Sequence, residues 1–199
     1  MTEMTAVPAA SVILLRGDPF EVLMIRRHEK ASFVPNASVF PGGAVDAEDE
    51  RGSTLETMRA AAARELFEEA GIWLGALLAG EATLASLGPI DLEQLVWTSR
   101  WITPDGVPKR FDTYFFFART AEDARPTIHE NEHVDLVWIT PADALARLEP
   151  VFPIRKNLEA IAGFKSADEL IASRHAVEVK PVQPIMIIEG GKRRFVLPD

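Results

Sequence analysis

The sequence contains no cysteine, and its 21 basic residues (Lys and Arg) are outnumbered by 30 acidic residues (Asp and Glu). Without cysteine the chain can form no disulfide, no thiolate metal site and no thiol nucleophile. The net charge of −9 argues against a duplex nucleic-acid partner, because the phosphate backbone requires a basic surface. A small phosphorylated ligand is compatible with this charge, since a metal ion and a few arginines invert the local field.

Long apolar runs are also missing. No segment approaches the roughly 18 consecutive apolar residues of a membrane-spanning helix, so we expect no membrane association. The N-terminal segment lacks the basic start of a signal peptide, and Pro8 interrupts its apolar run. The default expectation is a cytoplasmic enzyme or binding protein, whose 47% apolar residues suffice for a sizeable core.

What the sequence does contain is an alternation of short β patterns and amphipathic helical patterns. Runs rich in β-branched and aromatic residues predict strands within 11–27 (two strands) and at 38–40, 95–103, 112–119 and 135–140. Helices are predicted at about 54–70, within 73–96 (one or two short helices), at 141–148 and as a pair within 154–175. A turn is predicted at Pro41-Gly42-Gly43, and a hairpin is predicted at the C-terminal end. We therefore expect an α/β or α+β fold with a mixed sheet. The length predicts a single domain over residues 1–199, or one domain with an appendage.

The helix predicted at 54–70 has clear signals at both ends. Ser53 and Glu56, three residues apart, form a capping-box pattern, in which each side chain satisfies a backbone N–H at the start of a helix. Gly71 occupies the position of a glycine that ends a helix in the left-handed conformation.

The same helix carries a cluster of like charges near its C-terminal end. Glu65, Glu68 and Glu69 fall within an arc of about 100° on the helix surface. Like charges three or four residues apart destabilise an exposed helix by roughly 0.2–0.5 kcal/mol per pair. A solvated face is the ordinary alternative, but these glutamates border the apolar stripe and only Arg64 lies nearby to offset them. The cluster therefore favours a site for a hard divalent cation with oxygen ligands, Mg²⁺ or Mn²⁺.

Residues 56–72 resemble the signature of the Nudix (MutT-related) hydrolase family. The signature is written G-x5-E-x7-R-E-U-x-E-E-x-G-U, where U is an aliphatic residue. Glu56, seven intervening residues and the run RELFEEAGI at 64–72 match every fixed position after the first glycine. The resemblance implies an αβα sandwich with a central mixed sheet, whose core covers roughly residues 8–165. It also implies metal-dependent cleavage of the pyrophosphate bond of a nucleoside diphosphate linked to another moiety.

One part of the signature departs from the family. The strict spacing places its glycine at position 50, which is Glu50, and the better candidate is Gly43. Between Gly43 and Glu56 the chain has residues 44–55, twelve residues where the signature has five. We interpret this segment as an insertion and expect a solvated loop, because surface loops tolerate extra residues. Its acidic side chains are Asp46, Glu48, Asp49 and Glu50.

The insertion also bears on the substrate. Together with FPGG, RWITP and RFDTYFF, it is similar to the branch of the family that includes coenzyme A diphosphatases. That similarity implies coenzyme A or its acyl esters as substrate. The segment upstream of FPGG matches only the basic start of the longer coenzyme A signature. ADP-ribose, NADH, diadenosine polyphosphates and oxidised nucleotides therefore stay open.

The resemblance also implies roles for individual residues. The metal ligands would be Glu65, Glu68 and Glu69, with Gly43 as the candidate for a backbone-carbonyl ligand. Arg64 would orient Glu56 or one of the ligand carboxylates through a charge-assisted hydrogen bond. Glu56 is equally well explained as a helix-capping residue. The general base stays open between Glu65 and two loop carboxylates, Glu130 and Glu132.

Substrate phosphates require cationic donors, and the candidates are Arg27, Arg100, Lys109 and Arg110. Only one of Arg26 and Arg27 can face the site, because side chains alternate along a strand. A nucleotide base would stack on an aromatic ring, for which the candidates are Trp97, Trp101, Phe111 and Tyr114. Burial in the core is the more common role of such residues.

Two alternatives to an enzyme are open at this point. The first is a nucleotide-sensing Nudix-fold module without turnover, although such a module would be expected to lose some of the glutamates that this chain keeps. The second is a structural protein in which the metal only stabilises the helix. The partners expected are a nucleotide-derived small molecule and a possible second copy of the chain in a homodimer.

Overall fold

The computed structural model describes residues 5–29, 35–75, 88–128, 133–175 and 177–198. The strands are β1 Val7–Arg16, β2 Glu21–Arg27, β3 Ser38–Val39, β4 Gly42–Ala44, β5 Val96–Ile102, β6 Phe111–Arg119, β7 His133–Ile139, β8 Pro181–Val182, β9 Ile185–Glu189 and β10 Lys192–Val196. The helices are α1 Thr54–Ala70, α2 Pro141–Arg147, α3 Phe152–Ile161 and α4 Ala167–Ala172. Among the described residues, no helix is long and apolar enough to cross a membrane.

Eight of the strands form one mixed sheet, as expected. The order is β3-β2-β1-β6-β5-β8, with β4 paired to β1 and β7 paired to β2. β1 runs parallel to β6, with Val7 opposite Phe111, and β5 runs parallel to β8. The other pairings in this sheet are antiparallel. β9 and β10 form the C-terminal hairpin separately.

Helices cover both faces of the sheet, which makes the architecture an αβα sandwich. The side chains of Val12 and Leu14 in β1 pack with Leu66 of α1 on one face. Ile13 and Leu15, which alternate with them, pack on the other face in the cluster that contains residues of α2, α3 and α4. Since β1 is buried on both faces, its sequence is a continuous apolar run and not an alternating one.

The ends of α1 are those predicted. The Ser53 side chain accepts a hydrogen bond from the backbone N–H of Glu56, and Gly71 ends the helix with φ 64°. Alanines dominate the side of α1 that faces the sheet, where Ala61 and Ala62 are fully buried. These small side chains allow the helix axis to lie close to the strands.

The segment Pro41-Gly42-Gly43 differs from its prediction as a turn. Gly42–Ala44 is a strand, β4, and it pairs with Ala9, Ala10 and Ser11 of β1. Glycine has low strand propensity, so the pairing is not visible in the local sequence. The short helices predicted within 73–96 are represented by one 3₁₀ turn at Leu92–Gln94; residues 76–87 lie outside the described part of the chain.

Candidate active site

Two glutamates of α1, Glu65 and Glu69, lie against the backbone of β4. The Glu69 carboxylate accepts a hydrogen bond of 2.8 Å from the backbone N–H of Gly42. The Glu65 carboxylate is so close to Gly43 that a Cβ on this glycine would lie 2.4 Å from Glu65 Oε1. The Pro41 carbonyl, which accepts hydrogen bonds from the Val12 N–H and the Ser11 hydroxyl, fixes the entry to β4. Two adjacent glycines therefore allow the carboxylates of the helix to reach the sheet.

Arg64 connects the glutamates with the segment that precedes the helix. Its Nη1 donates to Glu65 Oε1 at 3.0 Å and to Glu68 Oε2 at 2.7 Å. Its Nη2 donates to the Ala44 carbonyl and to Asp49 Oδ2, both at 2.9 Å, and its Nε donates to Asp49 Oδ1 at 3.0 Å. The Arg64 side chain is only 13% exposed, which favours well-defined geometry.

The inserted segment is not wholly a solvated loop, and the expectation is wrong for Asp49. Asp49 ends a single 3₁₀ turn, Ala47–Asp49, and is 3% exposed, whereas Asp46, Glu48 and Glu50 are exposed. Burial of this carboxylate is compensated by Arg64 and by the backbone N–H of Asp46, which donates to Asp49 Oδ2 at 2.9 Å. The local sequence does carry one signal for this contact: Asp46 and Asp49 have the spacing of a capping pair.

Burial and neighbouring charges shift the proton affinities of this cluster. Burial raises the pKa of Glu65 to about 7; the Arg64 guanidinium opposes the shift, and Glu69 and Glu68 add to it. Burial lowers the pKa of Arg64, but hydrogen bonding to Asp49 and the nearby carboxylates outweigh it and raise this pKa above its ordinary value. Arg64 is therefore a permanent cation, while Glu65 is close to half-protonated at neutral pH.

The carboxylates fit a hard divalent cation in donor type and in charge. All side-chain donors are oxygens, and the mutual repulsion that contributes to the raised pKa of Glu65 is what a cation would relieve. Among the described residues, no group of three or more acidic or imidazole side chains is arranged so that it could hold a metal ion without rearrangement. The hydrogen bonds from Arg64 engage one oxygen each of Glu65 and Glu68, which leaves a second oxygen on each carboxylate for a ligand role.

The raised pKa of Glu65 predicts a pH dependence of stability in the metal-free protein. Between pH 4.5 and about 7 the folded chain binds more protons than the unfolded chain, so the free energy of unfolding falls as pH rises. The contribution of Glu65 is complete below pH 4.5 and is lost above about pH 7, a change of about 3 kcal/mol. We expect urea unfolding in EDTA to show this decline in the wild type and a flatter profile in Glu65→Gln. Identical profiles would contradict the prediction.

The remaining candidates for catalysis lie apart from this cluster or outside the described residues. Glu56 is exposed, and its carboxylate accepts a hydrogen bond of 2.8 Å from the Ser53 hydroxyl, which is a helix-capping contact. Glu130 and Glu132 lie outside the described part of the chain.

The four predicted phosphate donors lie on β2 and on the β5–β6 hairpin. Arg27 is half-buried at the end of β2, where the pairing with β7 shifts in register, whereas Arg26 is exposed. Arg100 donates through Nε and Nη2 to the two carboxylate oxygens of Asp112, at 2.8 and 2.6 Å, and lies over the ring of Tyr114. The guanidinium of Arg100 is therefore held by the sheet itself.

The two cations of the hairpin turn differ in their surroundings. Arg110 donates to the Thr103 carbonyl at 3.0 Å and forms an ion pair of 2.9 Å with Asp105, so it contributes to the turn. Lys109 is exposed, with its Nζ 5.1 Å from the ring centroid of Phe111.

Most of the aromatic candidates for base stacking are packing residues. Trp97 and Tyr114 are stacked at a ring-centroid distance of 5.1 Å in the cluster beneath α1. Trp101 is 8% exposed on the opposite face and forms an edge contact with Phe152. These contacts agree with the core role that is usual for such residues.

A family model described as NUDIX domain matches residues 5–159. The Caenorhabditis elegans protein provisionally named nudix hydrolase 7 is 32% identical over 158 residues, which are 69% of this chain and 52% of that protein. The chain thus spans about half the length of this curated relative.

Solved structures agree in fold. A NUDIX hydrolase from Alicyclobacillus acidocaldarius superposes with a TM-score of 0.76 at 26% identity, covering 85% of this chain and 96% of that chain. The NUDIX domain of Shewanella oneidensis NrtR, solved with ADP ribose, superposes with a TM-score of 0.54 at 18% identity, covering 78% of this chain and 86% of that chain. The second similarity concerns the fold alone.

Proposed function

The chain belongs to the Nudix family, and on this basis we propose that it hydrolyses the pyrophosphate bond of a nucleoside diphosphate linked to another moiety, with the help of Mg²⁺ or Mn²⁺. The observation that carries the proposal is the arrangement of three glutamates of α1: Glu65 and Glu69 lie against β4, and Glu68 shares the Arg64 guanidinium with Glu65. These glutamates would hold the cation.

The cation, when bound, supplies positive charge that stabilises the phosphoryl oxygens and acidifies water at neutral pH. A water oxygen forms a bond to one phosphorus, the anhydride bond between the phosphates breaks, and the second phosphate leaves with the electron pair of that bond. The water proton passes to a carboxylate. Glu65 is our candidate for this carboxylate, because it lies between Arg64 and Gly43 within the cluster that would hold the cation.

Arg64 orients two of the carboxylates in this scheme and does not bind substrate. Its three nitrogens are all engaged by the protein, by Asp49, Ala44, Glu65 and Glu68. The carbonyl of Gly43 is the candidate for a backbone ligand, since its residue lies against the Glu65 carboxylate.

A binding module without turnover is the second candidate function. The NrtR domain solved with ADP ribose has the same fold, so the fold by itself accommodates binding of a nucleotide derivative. The complete set of glutamates in α1 favours hydrolysis over binding alone.

A substrate panel with and without Mg²⁺ separates the two functions. The panel contains coenzyme A, ADP-ribose, NADH and a diadenosine polyphosphate, and the products are identified by chromatography. Hydrolysis predicts two phosphate-containing products that appear only with the cation. Saturable binding by calorimetry without products for any compound would support the binding module.

Within the panel we propose coenzyme A or its acyl esters as the preferred substrate, on the similarity of the sequence to the coenzyme A diphosphatase branch. Recognition of the 3′-phosphate requires an exposed cation, and Lys109 on the β5–β6 hairpin is exposed. We expect Lys109→Ala to lower kcat/KM for coenzyme A about tenfold and to leave kcat/KM for dephospho-coenzyme A unchanged. The expected size follows from the roughly 1.5–3 kcal/mol that a hydrogen bond to a charged group contributes.

Arg110→Ala is the companion variant. Because Arg110 contacts Thr103 and Asp105 within the turn, a purely structural role predicts equal losses for the two compounds. Selective loss for coenzyme A in this variant would instead assign the 3′-phosphate contact to Arg110. Equal kcat/KM for coenzyme A and dephospho-coenzyme A in the wild type would contradict the substrate proposal.

A further inference from the structure

Asp49 differs from every other acidic residue of the inserted segment. It is 3% exposed, and its side chain is the more deeply buried partner of its ion pair, at 4% against 13% for Arg64. Asp46, Glu48 and Glu50, in the same segment, are exposed. A buried carboxylate destabilises the fold unless its charge and its hydrogen bonds are satisfied, so its partners indicate its role.

Both oxygens of Asp49 are used to hold Arg64. Nε donates to Oδ1 at 3.0 Å and Nη2 donates to Oδ2 at 2.9 Å, the two-pronged geometry in which a guanidinium and a carboxylate lie in register. The backbone N–H of Asp46 also donates to Oδ2, which ties the carboxylate to its own turn.

The guanidinium is planar, so two fixed nitrogens determine the position of the third. In Arg64 the third nitrogen, Nη1, donates to Glu65 Oε1 and Glu68 Oε2. Asp49 therefore fixes the orientation of the rigid Arg64 guanidinium, which in turn holds two carboxylates of the proposed cation site.

The glutamate of the family signature does not make this contact. Glu56 is exposed, and its carboxylate accepts from the Ser53 hydroxyl at the start of α1. Among the contacts of the described residues, the carboxylates that meet Arg64 come from α1 itself and from the inserted segment. Asp49 therefore connects the inserted segment with the site. Asp46 is farther away, with its Oδ2 3.7 Å from Arg64 Nη2.

We propose that Asp49 is a positioning residue of the active site and that the inserted segment 44–55 acts through it, by holding Arg64 so that Glu65 and Glu68 present their free oxygens to the divalent cation. This inference rests on the proposed function. Asp49 would then be the residue through which the insertion, otherwise a surface segment, positions the cation ligands.

The test compares Asp49→Asn with Glu48→Gln, a change of the same kind at the exposed neighbouring carboxylate. We expect Asp49→Asn to weaken Mn²⁺ binding, followed by electron paramagnetic resonance without substrate, by 10–100-fold, the usual effect of losing a group that orients a metal ligand. We expect kcat to fall by a similar factor with little change in KM for the preferred substrate. Glu48→Gln should match the wild type in both measurements.

A double-mutant cycle with Arg64→Lys shows whether Asp49 acts through Arg64. Lysine has a single ammonium group and cannot hold Asp49 and two glutamates in one plane. The effect of Asp49→Asn on Mn²⁺ affinity should then largely disappear in the Arg64→Lys background. Fully additive effects would overturn the proposal.

Asp49→Glu keeps the proposal testable if Asp49→Asn fails to fold. This variant retains the negative charge, but its side chain is longer by one methylene group and therefore displaces the Arg64 guanidinium. We expect an intermediate loss of Mn²⁺ affinity in this variant. Mn²⁺ affinities equal to wild type in Asp49→Glu and Asp49→Asn would overturn the positioning role. A wild type that binds Mn²⁺ but turns over no compound would contradict the proposed hydrolysis alone, and a wild type that binds no Mn²⁺ would overturn both.

Discussion

Glu68→Gln and Glu69→Gln are each expected to lower kcat by about 10²–10³-fold while the fold survives. Glutamine keeps the shape of the side chain and an oxygen that can accept from Arg64 Nη1 or from the Gly42 N–H. What is lost is the negative charge that holds the cation. A bound cation contributes several kcal/mol to the transition state, and each 1.4 kcal/mol corresponds to about a tenfold change in rate.

Thermal unfolding separates this loss from damage to the structure. In EDTA both variants should unfold close to the wild-type temperature, because the loss of one repelling charge offsets the weaker hydrogen bond from Arg64 or from the Gly42 N–H. Addition of Mg²⁺ should raise the unfolding temperature of the wild type, as for any ligand that binds the folded state, and should raise that of the variants much less. Glu159→Gln, at an exposed position of α3, is the control. Wild-type kcat in both site variants would refute the assignment of the cation site.

Gly43→Ala is expected to lower kcat while the fold is retained, and Gly42→Ala is expected to destabilise the fold. The two changes are adjacent and chemically identical. At Gly43 the new Cβ meets the carboxylate of Glu65, with contacts of 2.4–2.6 Å to its oxygens and carbon. This carboxylate ends a flexible side chain, so it moves away and the fold is retained. Because a displacement of about 1 Å at a reacting group costs up to 10²-fold in rate, kcat should fall by about that factor.

At Gly42 a new Cβ would meet backbone atoms of β1. A Cβ there would lie 2.4 Å from the Ala10 carbonyl oxygen and 2.6 Å from the Ser11 Cα, at a φ of +155° that is unfavourable for other residues. Strained backbone and overpacking each contribute roughly 1–3 kcal/mol, so we expect a loss of about 3 kcal/mol or more in the free energy of unfolding. Urea unfolding and kcat measured on both variants test the contrast. Equal destabilisation of the two would show that Glu65 does not lie against Gly43.

Both ends of α1 and the position of its charge cluster were predictable from the sequence, because capping and helical periodicity act over three or four residues. Ser53 and Gly71 have the roles that their positions indicate. The mixed sheet and most of its strands follow likewise from local apolar patterns. β4 does not, since two glycines carry no strand signal and their pairing depends on β1, some thirty residues earlier in the chain.

The sequence by itself determined the family and the αβα architecture, and it supplied the carboxylates that we propose as cation ligands. The tertiary structure decided which groups surround those carboxylates. It buried Asp49 of the insertion beside Arg64, fifteen positions later, and it placed Gly43 against Glu65. It also engaged Arg100 and Arg110 with partners in their own hairpin. The contacts of Arg64 and Glu65 join α1 to segments that precede it, and only the packing of α1 on the sheet fixes them. The contacts of Arg100 and Arg110 depend on the register of the β5–β6 hairpin, which local periodicity does not encode.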